Sequence, residues 1–220
     1  MIERPILMND EMVRALLRED KPKTEFRRAI ICVRINTRPE RWDFVTETTN
    51  HMWEFEWVLS TGRRRSALVR CPFGVRGDIL WVREAYRSSW HVNQNDPMDE
   101  YVNVKDCAAY RSTGTCMQGN AIDPTGAKWT TSIFMPRKYS RFLLQIVELY
   151  PQRIQEISER EAEREGFLEK IHEDCGLMTG ISARERFFRF WDTTIGKQFP
   201  ISLNPWVWVI KFNLIKVTNG

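Results

Sequence analysis

Cys71-Pro72-Phe73-Gly74-Val75-Arg76-Gly77-Asp78-Ile79-Leu80-Trp81-Val82-Arg83-Glu84 is a turn-rich run that feeds directly into a strand. Pro72, Gly74 and Gly77-Asp78 supply turn chemistry, because proline presets φ and glycine tolerates positive φ. Ile79 to Val82 is apolar throughout and reads as a short buried strand. Arg83 and Glu84 at its end must then sit at a rim, in a cleft or in a pair, since burying a lone charge is costly.

The periodicity on either side predicts a mixed chain. Asn9 can cap a helix over residues 10–19, and Asp20-Lys21-Pro22 breaks it. Ala29 to Ile35 is β-branched and apolar, which predicts a buried strand. Trp53, Phe55 and Trp57 alternate with Glu54 and Glu56, and residues 65–70 return as the hairpin partner. Cys107 to Arg111 reads as a short strand between two polar loops, and residues 141–150 as a long one. Ser158 with Glu161 and Ser182 with Glu185 fit capping boxes for helices ending at Gly166 and near Gly196. Trp206, Trp208, Ile210, Phe212 and Leu214 share one face of a final strand. About six or seven strands with three helices and no βαβ alternation predict an α+β domain built on a small, partly closed barrel.

The chain has 220 residues, enough for one elaborated domain, and nine Trp and twelve Phe make it aromatic-heavy. Its net charge is +4, and the excess lies wholly in residues 1–87, with 17 Lys/Arg against 13 Asp/Glu, whereas the remainder balances 16 against 16. A basic excess favours an anionic partner, nucleic acid being the commonest. Arg63-Arg64-Arg65 falls at a hairpin turn, where solvated charge is the default. Five cysteines without a C-x-x-C spacing, and Glu3-Arg4 interrupting the N-terminus, predict a reduced cytoplasmic protein with free thiols and no leader. No apolar run approaches membrane-spanning length. His51, His91 and His172 lack ligand spacing, so neither a metal nor another cofactor is expected.

Several segments, in order, resemble the ASCH-domain family of the PUA-like superfamily, particularly its phage and prophage members. The Cys71–Glu84 run resembles the family's C-P-[YF]-G-x-x-G-D-x-L-W-V-R-E signature. Pro5-Ile6-Leu7-Met8 resembles its start, and Lys23-Thr24-Glu25-Phe26-Arg27-Arg28 its K-T-x-T-R-R motif. Trp129 through Met135-Pro136-Arg137 and Arg141 resembles its W-x-x-S-x-x-M-P-R segment. Ile157 to Gly166 is similar to its acidic helix, and Phe190-Trp191 and Asn204 to Ile210 close the match. Residues 36–68 and 88–126 stand outside it as insertions in a single domain. The resemblance implies a PUA-like barrel and a role with RNA, nucleotides or modified nucleosides.

Small bacterial members of this fold hydrolyse N4-acylated cytidine with a Lys and a Thr of the K-T-x-T segment and a Glu of the helix. By position these are Lys23 and Glu165, and the second Thr is replaced by Phe26, which can neither attack nor relay a proton. Thr24 keeps a hydroxyl two residues away, about 6.6 Å along a strand. A desolvated Lys beside a Glu can share a proton, with Glu165 as acid and Lys23 as base or oxyanion partner. The leading expectation is binding of RNA, single-stranded nucleic acid or a modified nucleotide. Arg27, Arg28, Arg83, Arg137 and Arg141 would meet phosphates, Trp81 or Trp129 would stack a base, and Glu84 or Glu165 would accept from an exocyclic amine. Hydrolysis of an acylated nucleoside is the alternative. A phage module that binds a host protein through the insertions is the second.

Overall fold

The structure is a computed structural model that describes residues 1–88, 108–116, 129–174 and 177–217. Most of the expected 88–126 insertion, with Cys107 and His91, lies outside the described residues. The described elements are β1 (Glu3–Leu7), α1 (Asp10–Leu16), β2 (Glu25–Ala29), α2 (Val33–Asn36), β3 (Asp43–Glu47), β4 (Met52–Val58), β5 (Arg64–Arg70), β6 (Ile79–Arg83) and β7 (Tyr86–Ser88). They continue with β8 (Ala108–Tyr110), β9 (Thr115–Cys116), β10 (Phe142–Arg153), α3 (Glu159–Arg164), β11 (Lys170–Asp174), β12 (Leu177–Ile181), α4 (Ala183–Thr194) and β13 (Trp206–Val217). The class is α+β, with more strands than the periodicity predicts, because β1, β3, β7, β9 and the β11–β12 hairpin are short or polar.

The central sheet has the order β1-β6-β10-β13-β2. Only β1 and β6 run parallel in it; the other pairs are antiparallel. The sheet is open, and its edges β1 and β2 share no ladder. Across that gap, Arg28 Nη2 donates to the Leu7 carbonyl at 2.9 Å, so a side chain spans the seam.

Over Trp206–Ile210, strand β13 is buried on both faces. Trp206, Trp208, Ile210 and Phe212 join the larger core, whereas Val207 and Val209 pack on α3 and α4 with Ile154, Ile157, Phe187 and Trp191. The β3-β4-β5 sheet covers the larger core's face of β13: Phe55 meets Trp206 at 5.2 Å and Trp53 meets Trp208 at 5.6 Å between ring centroids. The 36–68 segment therefore contributes much of one layer of the core. Its alternating aromatics are what that burial demands.

The strand expected over Ala29–Ile35 is also corrected. Strand β2 comes earlier, at Glu25–Ala29, and the apolar run that follows turns into the single helical turn α2. Ile30 and Ile35 anchor that turn in the core while Ile31 is exposed. The Asn36 amide closes it, donating to the carbonyls of Ile30 and Trp206 at 2.8 and 2.9 Å and accepting from Trp206 N at 2.8 Å. A strand so rich in charge as β2 is tolerated because its charges are paired beneath α3.

The Cys71–Glu84 run shows why its glycines stand where they do. Asp78 accepts from Ile2 N at 2.7 Å, Val75 N at 3.2 Å and Arg4 Nη1 at 2.8 Å, tying the turn to the edge strand β1. Gly74 has φ +117°, and a Cβ there would lie 2.7 Å from Asp78 Oδ2. Burial pushes the Asp78 carboxyl up, but these three donors outweigh it and hold it below its ordinary range.

Candidate functional site

Alternation along β2 sorts its side chains. Glu25 and Arg27 turn towards α3, and Phe26 and Arg28 turn the other way. Helix α3 ends in a Schellman motif: Gly166 N donates to Glu163 O at 2.8 Å and Phe167 N to Ala162 O at 3.0 Å, with Gly166 at φ +98°. A Cβ at Gly166 would lie 2.7 Å from Ala15 Cβ, so α1 packs directly on this cap. The cap fixes Glu165 over the end of β2.

There Lys23 Nζ donates to Glu165 Oε2 at 2.7 Å and to the Glu165 carbonyl at 2.6 Å. One ammonium thus pairs the carboxylate and caps the negative end of α3. Arg27 is the hub beside it. Its guanidinium lies 3.4 Å from Glu165 Oε1, 3.2 Å from Glu161 Oε1 and 3.6 Å from Glu25 Oε2, and donates to Gln152 Oε1 at 3.0 Å. Glu25 Oε1 accepts from Arg164 at 3.0 Å. The side chains of Lys23 and Arg27 are 0 % exposed, so both charges are fully desolvated. Burial pushes the Lys23 ammonium down in spite of the Glu165 charge and pushes the Glu25 carboxyl up against Arg164.

Above Glu165 lies a cavity of about 420 Å³, within the range of small-ligand sites. Its walls come from Leu7 to Asp10 and Met12, from Arg27 and Arg28, from residues 129–132, and from Phe187, Phe190 and Trp191 of α4. Arg111 Nε donates to Asp10 Oδ2 at 2.7 Å along one side. Asp10 Oδ1 and Arg27 Nε are buried and have no hydrogen-bond partner among the described residues. A second cavity, also of about 420 Å³, is lined by Glu165 as well.

Lys23 and Glu165 therefore converge, as the resemblance implied, although they are 142 residues apart. Lys23 lines neither cavity; Glu165 lines both. The phenyl ring of Phe26 is absent from this site. It packs in the core, 5.4 Å from Phe212 and 6.3 Å from Phe73 between centroids. Thr24 supplies backbone: its N–H donates to Arg164 O at 2.9 Å and its carbonyl accepts from Phe212 N at 3.0 Å.

The expected phosphate and base contacts are distributed differently. Arg28 lines the cavity while holding the carbonyls of Arg27 and Leu7. Arg83 and Glu84 do not pair with each other. Arg83 Nε donates to Met135 O at 3.0 Å, and Glu84, wholly buried, accepts from Arg141 Nε at 2.8 Å, from Arg141 Nη2 at 2.9 Å and from Ser112 Oγ. Arg137 pairs with Glu3 at 2.8 Å. Trp81 is buried, with Arg83 and Arg137 over its ring at 4.8 and 5.8 Å, so it is no stacking platform. Trp129 is half-buried at the cavity wall, with Arg87 over its ring at 5.3 Å. Glu84 and Arg141 form a second buried pair that lines neither of the two cavities.

The contribution of α4 to the cavity is not legible in its sequence: its aromatics read as packing, and Phe187 and Trp191 serve as core and wall together. Among the described residues no group of His, Cys, Asp and Glu is arranged to hold a metal ion, and no helix is long and apolar enough to cross a membrane. Comparison of the chain with protein-family models, with curated proteins and with solved structures finds no match.

Proposed function

We propose that this chain binds a base in the cavity above Glu165, the base being part of RNA, of single-stranded nucleic acid or of a modified nucleotide. The observation that carries the reading is a cavity of nucleoside scale whose floor is a carboxylate fixed by Lys23 and Arg27 and whose wall includes Trp129. A fixed carboxylate is a good acceptor for an exocyclic amine, and an indole face is a sequence-tolerant platform. Lys23 is then a positioning residue, holding Glu165 without touching the ligand. An ASCH-type, PUA-like barrel is part of the proposal. The order of the central sheet and the side-chain bridge from Arg28 to Leu7 support it. Free Cys32 and Cys71 are in keeping with a reducing cytoplasm.

Calorimetric titration with nucleosides and with short single-stranded RNA tests this. Binding should weaken on Glu165→Gln and on Trp129→Ala. Absence of heat with every nucleoside and RNA at millimolar concentration would remove the reading.

The convergence of Lys23 and Glu165 also favours a second reading, hydrolysis of an N4-acylated cytidine or related amide. Water would add to the acyl carbon, Glu165 would take its proton and return it to the departing amine, and the C–N bond would break to give an acid and the nucleoside. Against it stand the complete enclosure of Lys23 Nζ and the core position of Phe26. Incubation with N4-acetylcytidine decides: release of cytidine that Glu165→Gln abolishes supports hydrolysis, and binding without release leaves the first reading alone.

A further inference from the structure

The second cavity lies between α1 and α4 and shares Asn9, Met12, Glu165 and Phe190 with the first, so the two adjoin. The character of its lining differs. Arg14 of α1, Arg18 just beyond it and Arg186 of α4 all line it, with Glu11 and Glu165 as the acids. Glu165 is already held by Lys23 and Arg27, so the local balance is positive. Each arginine is anchored by a backbone carbonyl: Arg14 Nη1 to Ser112 at 3.2 Å, Arg18 Nη1 to Gly166 at 2.8 Å, and Arg186 Nη1 to Leu168. A guanidinium carries five N–H donors, so one anchoring bond orients the group and leaves donors for a ligand. Three oriented guanidiniums lining one cavity suit an oxyanion with several acceptor oxygens.

We propose that this cleft binds the phosphate of the nucleotide whose base occupies the first cavity. The proposal rests on the base-binding reading in assigning both cavities to one ligand. A monoester on a free nucleotide and a diester in an RNA strand offer the same oxygen chemistry, and the test separates them.

The full chain is titrated calorimetrically with adenosine and cytidine, with their 5′-monophosphates, with an unphosphorylated RNA pentamer and with pyrophosphate. The monophosphates should bind about tenfold more tightly than the nucleosides, and added KCl should erode that difference. Arg14→Gln with Arg186→Gln should abolish it while nucleoside affinity is kept. Tighter binding of the pentamer assigns the diester, and tighter binding of the monophosphates the monoester. Should the double variant fail to fold, the salt series on the unaltered protein decides, and a salt-insensitive difference overturns the proposal. Equal affinity for nucleosides and monophosphates overturns the phosphate site and leaves the base cavity standing. Pyrophosphate binding without any nucleoside binding does the reverse. Silence from all of these probes overturns both.

Discussion

Lys23 Nζ stands 2.7 Å from the Glu165 carboxylate and 2.6 Å from the carbonyl of the same residue, so a single ammonium closes a side-chain pair and a helix end together. Both partners are buried. Lys23→Met would leave the carboxylate to Arg27 alone and would strip the Glu165 carbonyl of its ammonium partner. It is expected to cost about 3–5 kcal/mol, a fall in Tm of roughly 6–20 °C for a chain of this size. Lys23→Met combined with Glu165→Leu should recover much of that loss, because it removes the stranded charge. Thermal melts of the two single variants and the double variant measure the coupling; additive losses would contradict it.

Stability should also respond to pH through Lys23. Burial lowers its folded pKa below the ordinary 10.5, so between those two values the unfolded chain holds more protons. Stability from this group therefore rises with pH across that alkaline window and levels off above 10.5. Glu25 works in the opposite sense: its raised folded pKa makes the folded state bind more protons above 4.5, so its contribution is present below that value and is lost as pH rises through the folded pKa. Urea unfolding at several pH values, with Lys23→Met and Glu25→Gln, separates the two slopes.

The two glycines of the turn before β6 should differ. Both have positive φ, but a Cβ at Gly77 meets nothing within 4 Å, whereas one at Gly74 meets Asp78 Oδ2 at 2.7 Å and Arg4 Nη1 at 3.0 Å. Gly77→Ala is expected to cost about 1–2 kcal/mol from backbone strain alone. Gly74→Ala adds the loss of the Asp78 bonds, for roughly 3–5 kcal/mol in all. Chemical denaturation that ranks them equally would refute this account of the turn.

How much of this can be read from residues alone depends on how local the deciding forces are. The caps at Asn9, Ser158 and Ser182, and the stop at Gly166, are readable because each is settled by hydrogen bonds a few residues long. Strand β2 lies away from its expected position because the charges of Glu25 and Arg27 find partners at the end of α3, more than 130 residues away. Charge counting locates a basic N-terminal region, yet it cannot show that Arg27 and Arg28 spend their donors inside the protein. The pairing of Lys23 with Glu165 comes from the resemblance; no spacing in the chain implies it.

Trp81 and Trp129 both read as base platforms in the sequence and should behave differently. Trp129→Ala is expected to weaken base binding by about 1–3 kcal/mol with little change in Tm. Trp81→Ala removes a buried ring and should cost roughly 3–5 kcal/mol of stability, with ligand affinity kept in the folded fraction. Calorimetry and thermal melts on both variants test the division.

The seam between β1 and β2 carries one more consequence. Leu7 and Arg28, which bridge it, both line the cavity above Glu165. A ligand that draws Arg28 Nη2 away from the Leu7 carbonyl would loosen this bridge. Occupancy of the cavity is thereby coupled to the fastening of an edge strand, and amide exchange along β1 becomes a reporter of whether the site is filled.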